Sequence, residues 1–389
     1  MTASLPFLDI STPGFSTRGP EVLAARAQHW CARTPFGFAI LRHREAGLLL
    51  RDRRLRQGSY AWPTTLGLAG SFASFWQRSI ISQEGARHKD QRRIAMAALA
   101  PGWIETLIPN FTRIAEDLAS AIGENCEFIA DFSEPFAGRA ITTLLGLPDA
   151  DADALAHDAS RLGLAMGIDG KTHEPVFNAA TDRLTELAQT LIDRARRNPN
   201  GTDFVTRLVG AATQQTDETL RDLIVISIFG GVDTTRAQLG FAMALFVDHP
   251  DQWSTLRRDP ALISHAIEEV IRARPTTTWA TREAIEDFTF QDTTIQSGDT
   301  VHILVHATGT DAQANPDWTF DITARRKMHF GFGGGAHHCL GQLVARTDMA
   351  AALRVLAQHF TSIQYAGQPH WLPDSGNTSP AQLPLHFTR

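Results

Sequence analysis

Three observations predict a mainly α fold with small β regions, built as a single unit over residues 1–389. Helical spacing dominates from His88 to about Pro250, and strand signals cluster between Phe288 and His306. No linker, low-complexity tract or internal repeat divides the chain. A length of 389 residues would by itself suggest two or three domains, but the continuous patterning argues for one.

After a lead rich in Pro, Gly, Ser and Thr, residues 21–33 have helical spacing and Phe36 to Arg42 reads as a short strand. Residues 57–76 carry Tyr60, Trp62, Phe72, Phe75 and Trp76 among Gly, Pro and Thr, which is too irregular for one helix. That stretch is either a lid over the core or a pocket wall. The helical patterns that follow break at Pro101, at Pro148 and across Gly167 to Pro175. Thr216 can cap a helix starting at Asp217, whose pattern runs to Asp248-His249-Pro250, a length of roughly 48 Å. Inside it, Gly230-Gly231-Val232-Asp233-Thr234-Thr235 interrupts the apolar run Leu223 to Phe229. Two glycines beside a carboxylate and two hydroxyls predict a loosened groove that admits water, along which Asp233 and Thr234 can pass protons. A close helix crossing with a satisfied aspartate is the structural alternative. The turn Gln296-Ser297-Gly298-Asp299 divides the strand-rich patch, and a last strand is expected around Leu383 to Phe387.

The composition, 43% hydrophobic and 20% charged, is that of an ordinary globular chain. Cys31, Cys126 and Cys339 are odd in number and far apart, which argues against a disulfide framework and for a reducing cytoplasm. The N-terminus shows neither a signal peptide nor a membrane anchor, so a cytoplasmic location is expected. A net charge of -6 disfavours nucleic-acid binding while leaving room for a local basic patch.

The chemistry concentrates in Phe332-Gly333-Gly334-Gly335-Ala336-His337-His338-Cys339-Leu340-Gly341. A thiolate beside the first turn of a helix is stabilised by unpaired N–H groups and suits a metal, and glycines let the backbone approach a flat partner. A phosphate loop would need Gly-Lys-Ser/Thr, which is absent. A zinc site would need further Cys or His pairs at the usual spacing, and a buried structural cysteine is the plainest alternative.

The spacing Phe-Gly-x-Gly-x-His-x-Cys-x-Gly from Phe332 to Gly341 resembles the haem-ligand signature of the cytochrome P-450 family. Gly230 to Thr235 is similar to that family's distal-helix motif, Glu269-Val270-Ile271-Arg272 to its Glu-x-x-Arg pair, and His88 with Arg92 to its His-x-x-x-Arg site. Arg282-Glu283-Ala284-Ile285-Glu286-Asp287 is similar to its Arg-x-Ala-x-Glu-Asp segment. The resemblance implies the family's triangular, mainly helical domain. It also implies heme b (iron protoporphyrin IX) on the thiolate of Cys339, with Phe332 and Gly333 in the haem loop and the propionates on His88, Arg92, Arg282 and His337. Asp233 would gate protons and Thr234 would hydrogen-bond O2. One departure stands out: where the family places an arginine to brace the Glu269–Arg272 pair, this chain has Ala324, with Arg325 and Arg326 late.

The activity so implied is that of a monooxygenase that hydroxylates a small hydrophobic substrate. With no flavin or iron–sulfur segment in the chain, NAD(P)H electrons would come through a ferredoxin and its reductase. Arg92, Arg93, Arg325, Arg326, Lys327 and Arg346 read either as a docking patch for the acidic carrier or as a mixed-charge surface. Trp62, Phe72, Val232, Thr278 and Trp279 are the expected pocket residues. A haem-thiolate sensor, a peroxide-driven variant and a cofactor-free helical binding protein are the alternatives.

Overall fold

Prolines, capping residues and strand pairing together set the element boundaries in the computed structural model, which describes residues 5–167, 169–374 and 376–389. The first helix, α1 (Pro20–Gln28), takes Pro20 in its opening turn, where no N–H is needed. Helical spacing predicted that it would continue to Arg33. Instead Cys31–Thr34 (β1) pairs antiparallel with β2 (Gly37–Ile40), because burying Trp30, Cys31 and Ala32 in a sheet outweighs local propensity. There follow α2 (His43–Leu49) and β3 (Leu55–Gln57). The aromatic segment after it is a chain of short pieces, a turn at Ser59–Ala61, α3 (Trp62–Thr65) and α4 (Gly70–Arg78).

The helical body begins with α5 (Gly85–Ala98), α6 (Pro101–Glu105) and α7 (Ile108–Ala121). A short strand, β4 (Asn125–Glu127), leads into α8 (Glu134–Leu145), which stops at Gly146 in the left-handed conformation. Then come α9 (Ala152–Gly163), α10 (Glu174–Arg197) and α11 (Phe204–Ala211); Asp203 caps α11 by accepting from the amides of Val205 and Thr206. The long helix is α12 (Asp217–Asp248), 32 residues capped by Thr216, whose hydroxyl accepts from the Thr219 amide at 3.3 Å. It packs against α8, α9 and α10 and also contacts α14 (Ile263–Ala273), which follows α13 (Pro250–Arg258).

As its pattern predicts, α12 runs without a break from Asp217 to Asp248, and Gly230-Gly231 is regular α-helix rather than the loosened segment expected there. The two glycines do different work. A Cβ on Gly231 would lie 2.9 Å from Ile141 Cδ1, so this residue permits the close crossing with α8, whereas Gly230 faces open space.

The strand β5 (Trp279–Ala284) has polar residues on both faces and was not legible as a strand. After it come β6 (Phe288–Phe290), β7 (Thr293–Ile295), β8 (Thr300–Leu304), α15 (Val305–Gly309), α16 (Gln342–His359), β9 (Ser362–Tyr365), β10 (His370–Trp371), β11 (Pro380–Gln382) and β12 (Pro384–Thr388). The main sheet runs β1-β2-β8-β5-β3, with β2 and β8 parallel and the other neighbours antiparallel. Its register sets Gln57 opposite Arg282, which delivers Arg282 to the site. No described helix is long and apolar enough to cross a membrane.

Candidate active site

The glycine-rich segment folds as a tight loop ahead of α16. The Gly333 amide donates to the Phe330 carbonyl at 2.8 Å and the Cys339 amide to the Phe332 carbonyl at 2.9 Å. Gly335 has φ +69, and a Cβ there would sit 2.2 Å from the Leu50 carbonyl oxygen, so only glycine fits against the end of α2. Cys339 thus arrives just before the first turn of α16. Burial raises its thiol pKa, opposed by the amides of Gly341 and Gln342 and by the cations Arg92 and Arg346. The residue is deeply enclosed yet accessible, because its free surface is the wall of a cavity that opens to solvent.

That cavity measures about 730 Å³ and its lining is mainly apolar. His88, Arg92, Arg282, Phe332, Gly333, His337 and Cys339 all line it. His88 and His337 stack with ring centroids 4.1 Å apart, and His337 Nε2 lies 3.1 Å from Glu84 Oε1. Burial, and then the neighbouring His88, lower the His337 pKa to about 4. Arg282 is 4% exposed and donates only to neutral oxygens, those of Gln57, Thr281 and Gly334. Burial brings its pKa down to about 10. Neither Arg282 nor Arg92 has a carboxylate within ion-pair distance among the described residues. Phe332 is held from outside by the Arg346 guanidinium, 4.4 Å from its ring centroid.

On α12, Thr234 lines the cavity and its hydroxyl donates to the Gly230 carbonyl at 2.5 Å. Asp233 does not line it. Its carboxylate accepts from Arg236 at 2.9 Å and from Asn377 at 3.5 Å, since position 233 lies on a neighbouring stripe of the helix. Of the expected pocket residues, Trp62 and Trp279 line the cavity. Phe72, Val232 and Thr278, expected there, do not. Phe72 is packed between Trp76 and Phe177, Val232 is fully buried, and the Thr278 hydroxyl donates to the Gly376 carbonyl. The aromatic segment is therefore part core and part wall. Thr235, the last residue of the Gly230–Thr235 motif, lines the cavity without having been given a role, and Gln238, Asp348 and Asn377 line it without any motif to announce them. Thr235 donates to Asp348 Oδ2 at 3.3 Å, while Asp348 Oδ1 is buried without a partner. Burial raises the Asp348 pKa well above the carboxylate range.

Beneath the loop, Glu269 accepts from Arg272 through two contacts of 2.6 Å, and Arg326 donates to the same carboxylate at 3.0 to 3.3 Å. Arg326 fills the place left by Ala324, and exposed Arg325 has no ion-pair partner among the described residues. The expected basic patch shrinks accordingly. Arg326 is committed to Glu269, Arg346 to Glu268 and Arg93 to Asp90, and Arg92 lies on the cavity. Arg325 and Lys327 remain exposed.

The family model "Cytochrome P450" matches residues 164–381. The luteothin monooxygenase of Streptomyces thioluteus is 34% identical over 394 aligned residues, covering 99% of this chain and 97% of that protein. The chain belongs to the cytochrome P450 family. The mycinamicin IV hydroxylase/epoxidase of Micromonospora griseorubida is 29% identical and covers 91% of both chains. Among solved structures, the cytochrome P450 CYP109Q5 from Chondromyces apiculatus superposes with a TM-score of 0.87 at 23% identity over 99% of both chains, which shows the fold. The protein is a cytochrome P450 monooxygenase, and that family implies haem-thiolate, O2 and reductant from redox partners.

The donor set of this P450 fits such a group. A cysteine faces the cavity beneath backbone amides, and two arginines without carboxylate partners share its wall with two stacked histidines. Unpaired buried cations require anions, and propionates would supply them.

Proposed function

We propose that this P450 binds heme b through Cys339, with the propionates on Arg92, Arg282, His88 and His337, and hydroxylates or epoxidises a mainly apolar substrate in the same cavity. The reading extends to the whole chain, 1–389, as one haem domain working in the cytoplasm. When bound, the haem supplies the oxidising chemistry. The chain's residues bind, orient and deliver protons. Arg92 and Arg282 neutralise carboxylates, while Phe332 and Gly333 shape the thiolate side. Thr234 presents a hydroxyl to the cavity, and Asp233, paired with Arg236 outside it, exchanges protons with solvent and passes them toward Thr234. Trp62 and Trp279 give the substrate aromatic wall. The observation that carries the reading is that eight residues drawn from four separate motifs, Thr234 of the Gly230–Thr235 segment among them, line one cavity.

We propose a ferredoxin and its reductase as the electron source, fed by NAD(P)H. The carrier would dock over the hollow outside the haem loop, lined by Arg51, Met328 and Gly333 to Gly335, with Arg325 and Lys327 alongside. Charge steering of this kind requires reduction to slow as salt rises.

The test is carbon monoxide added to the reduced, haem-loaded protein. The red-shifted Soret band of thiolate ligation is expected in the wild type and is expected to be lost in Cys339→Ser; a Cys339→Ser spectrum identical to wild type would overturn the assignment. Turnover with NADH, ferredoxin and reductase separates a monooxygenase from a sensor, and turnover with peroxide alone would point to the peroxide-driven variant. In Thr234→Ala, product should fall and peroxide leakage rise; unchanged values would remove the role given to Thr234.

A further inference from the structure

One polar side chain on the cavity wall is used neither by the proposed haem contacts nor by the fold. His302 stands in the middle of β8, opposite Ala39 of β2 and Thr281 of β5. Paired residues share a sheet face, so His302 lies on the face of Thr281, while Arg282, opposite Val301, belongs to the other face. His302 is 8% exposed. Its Nδ1 is fully buried without a hydrogen-bond partner, and no protein group among the described residues hydrogen-bonds the ring. The rings of Trp279 and Phe36 meet it edge-on, with centroids 5.6 Å and 6.3 Å away. All three residues line the cavity that also contains Cys339.

Two physical points make this arrangement informative. The flanking strand positions are Val301, Ile303 and Leu304, and an apolar residue at 302 would satisfy the sheet with nothing left unpaired. Burial alone holds the imidazole pKa down, to about 4, so near neutrality the ring is uncharged, with one nitrogen donating and the other accepting. The carboxylate on the same face, Glu283, is already paired with Arg56 at 2.8 Å.

We infer that the corner formed by Phe36, Trp279 and His302 is a recognition site for an uncharged hydroxyl carried on an aromatic ring of the substrate. The inference rests on the reading of this cavity as the haem and substrate chamber. A neutral imidazole without a counter-ion neither attracts a carboxylate nor pairs with an ammonium, but its Nε2, the ring nitrogen not sealed by burial, can donate to or accept from a hydroxyl according to the tautomer. The ring edges of Trp279 and Phe36 favour a flat partner beside it.

The probes are a para-alkylphenol and the alkylbenzene of the same chain length, titrated into haem-loaded protein by calorimetry and by the high-spin shift of the haem band. The wild type should bind the phenol about tenfold more tightly, as expected for one hydrogen bond to a buried partner. His302→Phe, close in shape, should abolish that preference while leaving the alkylbenzene affinity within about twofold, and His302→Asn should restore part of it. His302→Leu serves the same comparison should the phenylalanine variant fold poorly. Equal affinities in the wild type, or a preference that survives His302→Phe, would overturn the inference while the high-spin shift still upheld the chamber. Calorimetric binding with no response of the haem band would overturn the chamber reading and the inference with it.

Discussion

Removing the carboxylate of Glu269 should destabilise this protein more than any other single polar change beneath the haem loop. Glu269 is 3% exposed and Arg272 1% exposed, and the pair is held by two contacts of 2.6 Å. Arg272 also donates to the carbonyls of Gly309 and Trp318, both at 3.0 Å, so it ties α14 to the segment leading to the loop. Glu269→Gln leaves that guanidinium buried without an anion, a loss of about 3–5 kcal/mol. Against a total stability of about 5–15 kcal/mol, this is enough to empty much of the folded state. Arg326 sits at 14% side-chain exposure and shares a carboxylate that Arg272 still neutralises, so Arg326→Ala should cost about 1.5–3 kcal/mol. Arg325→Ala touches no partner and should stay within about 0.5 kcal/mol of wild type. The measurement is the urea midpoint followed by circular dichroism at constant haem occupancy, since bound cofactor adds to apparent stability. In the double variant Glu269→Gln/Arg326→Ala the losses should fall short of additive, because both remove the same contact. Equal costs for Arg325→Ala and Arg326→Ala, or strict additivity, would refute the placement of Arg326 in the brace.

Two further outcomes concern buried titratable groups. Burial raises the Asp348 pKa above its unfolded value. The stability associated with it is therefore full below about pH 4 and is lost as pH rises from there. Asp348→Asn should accordingly stabilise the protein at neutral pH and not in acid, by about 1.4 kcal/mol for each pH unit of the elevation; a variant less stable at neutral pH would mean the carboxylate is ionised and paired. Burial lowers His302 to about 4 and His306 to about 3, so both fold neutral. Their contribution is present above the unfolded value of about 6.5 and is lost as pH falls through it, at about 1.4 kcal/mol per pH unit for each ring. Urea midpoints between about pH 7 and 4.5 should fall with that slope, and His302→Phe should flatten it by one proton; a flat wild-type profile would refute it.

Local signals gave the helix starts where a side chain does the capping. Thr216 could be named as the cap of α12 because an N-cap acts within three residues. The same locality explains the failures. The spacing of residues 31–33 is helical, but pairing with β2 and burial in the sheet, both non-local, make them strand. Trp279–Ala284 carries no hydrophobic alternation because five of its six residues line a cavity rather than a core. The glycine pair in α12 reads as a loosened groove or a close crossing, and only packing decides: Gly231 sits against Ile141 while Gly230 faces open space in a regular helix.

What the sequence by itself determined is the chemistry of the haem loop. Left-handed glycines, a cysteine ahead of a helix and distant cationic positions are all readable as residue types at fixed spacing. Tertiary structure alone decided which groups face the cavity and which partners they keep. It turned Asp233 outward onto Arg236, brought Asp348 and His302 to the cavity wall with Oδ1 of one and Nδ1 of the other unpartnered, and chose Arg326 over Arg325 for the brace. The reason is that burial and hydrogen-bond satisfaction depend on elements far apart in sequence. No local spacing records whether a buried polar atom will find a partner.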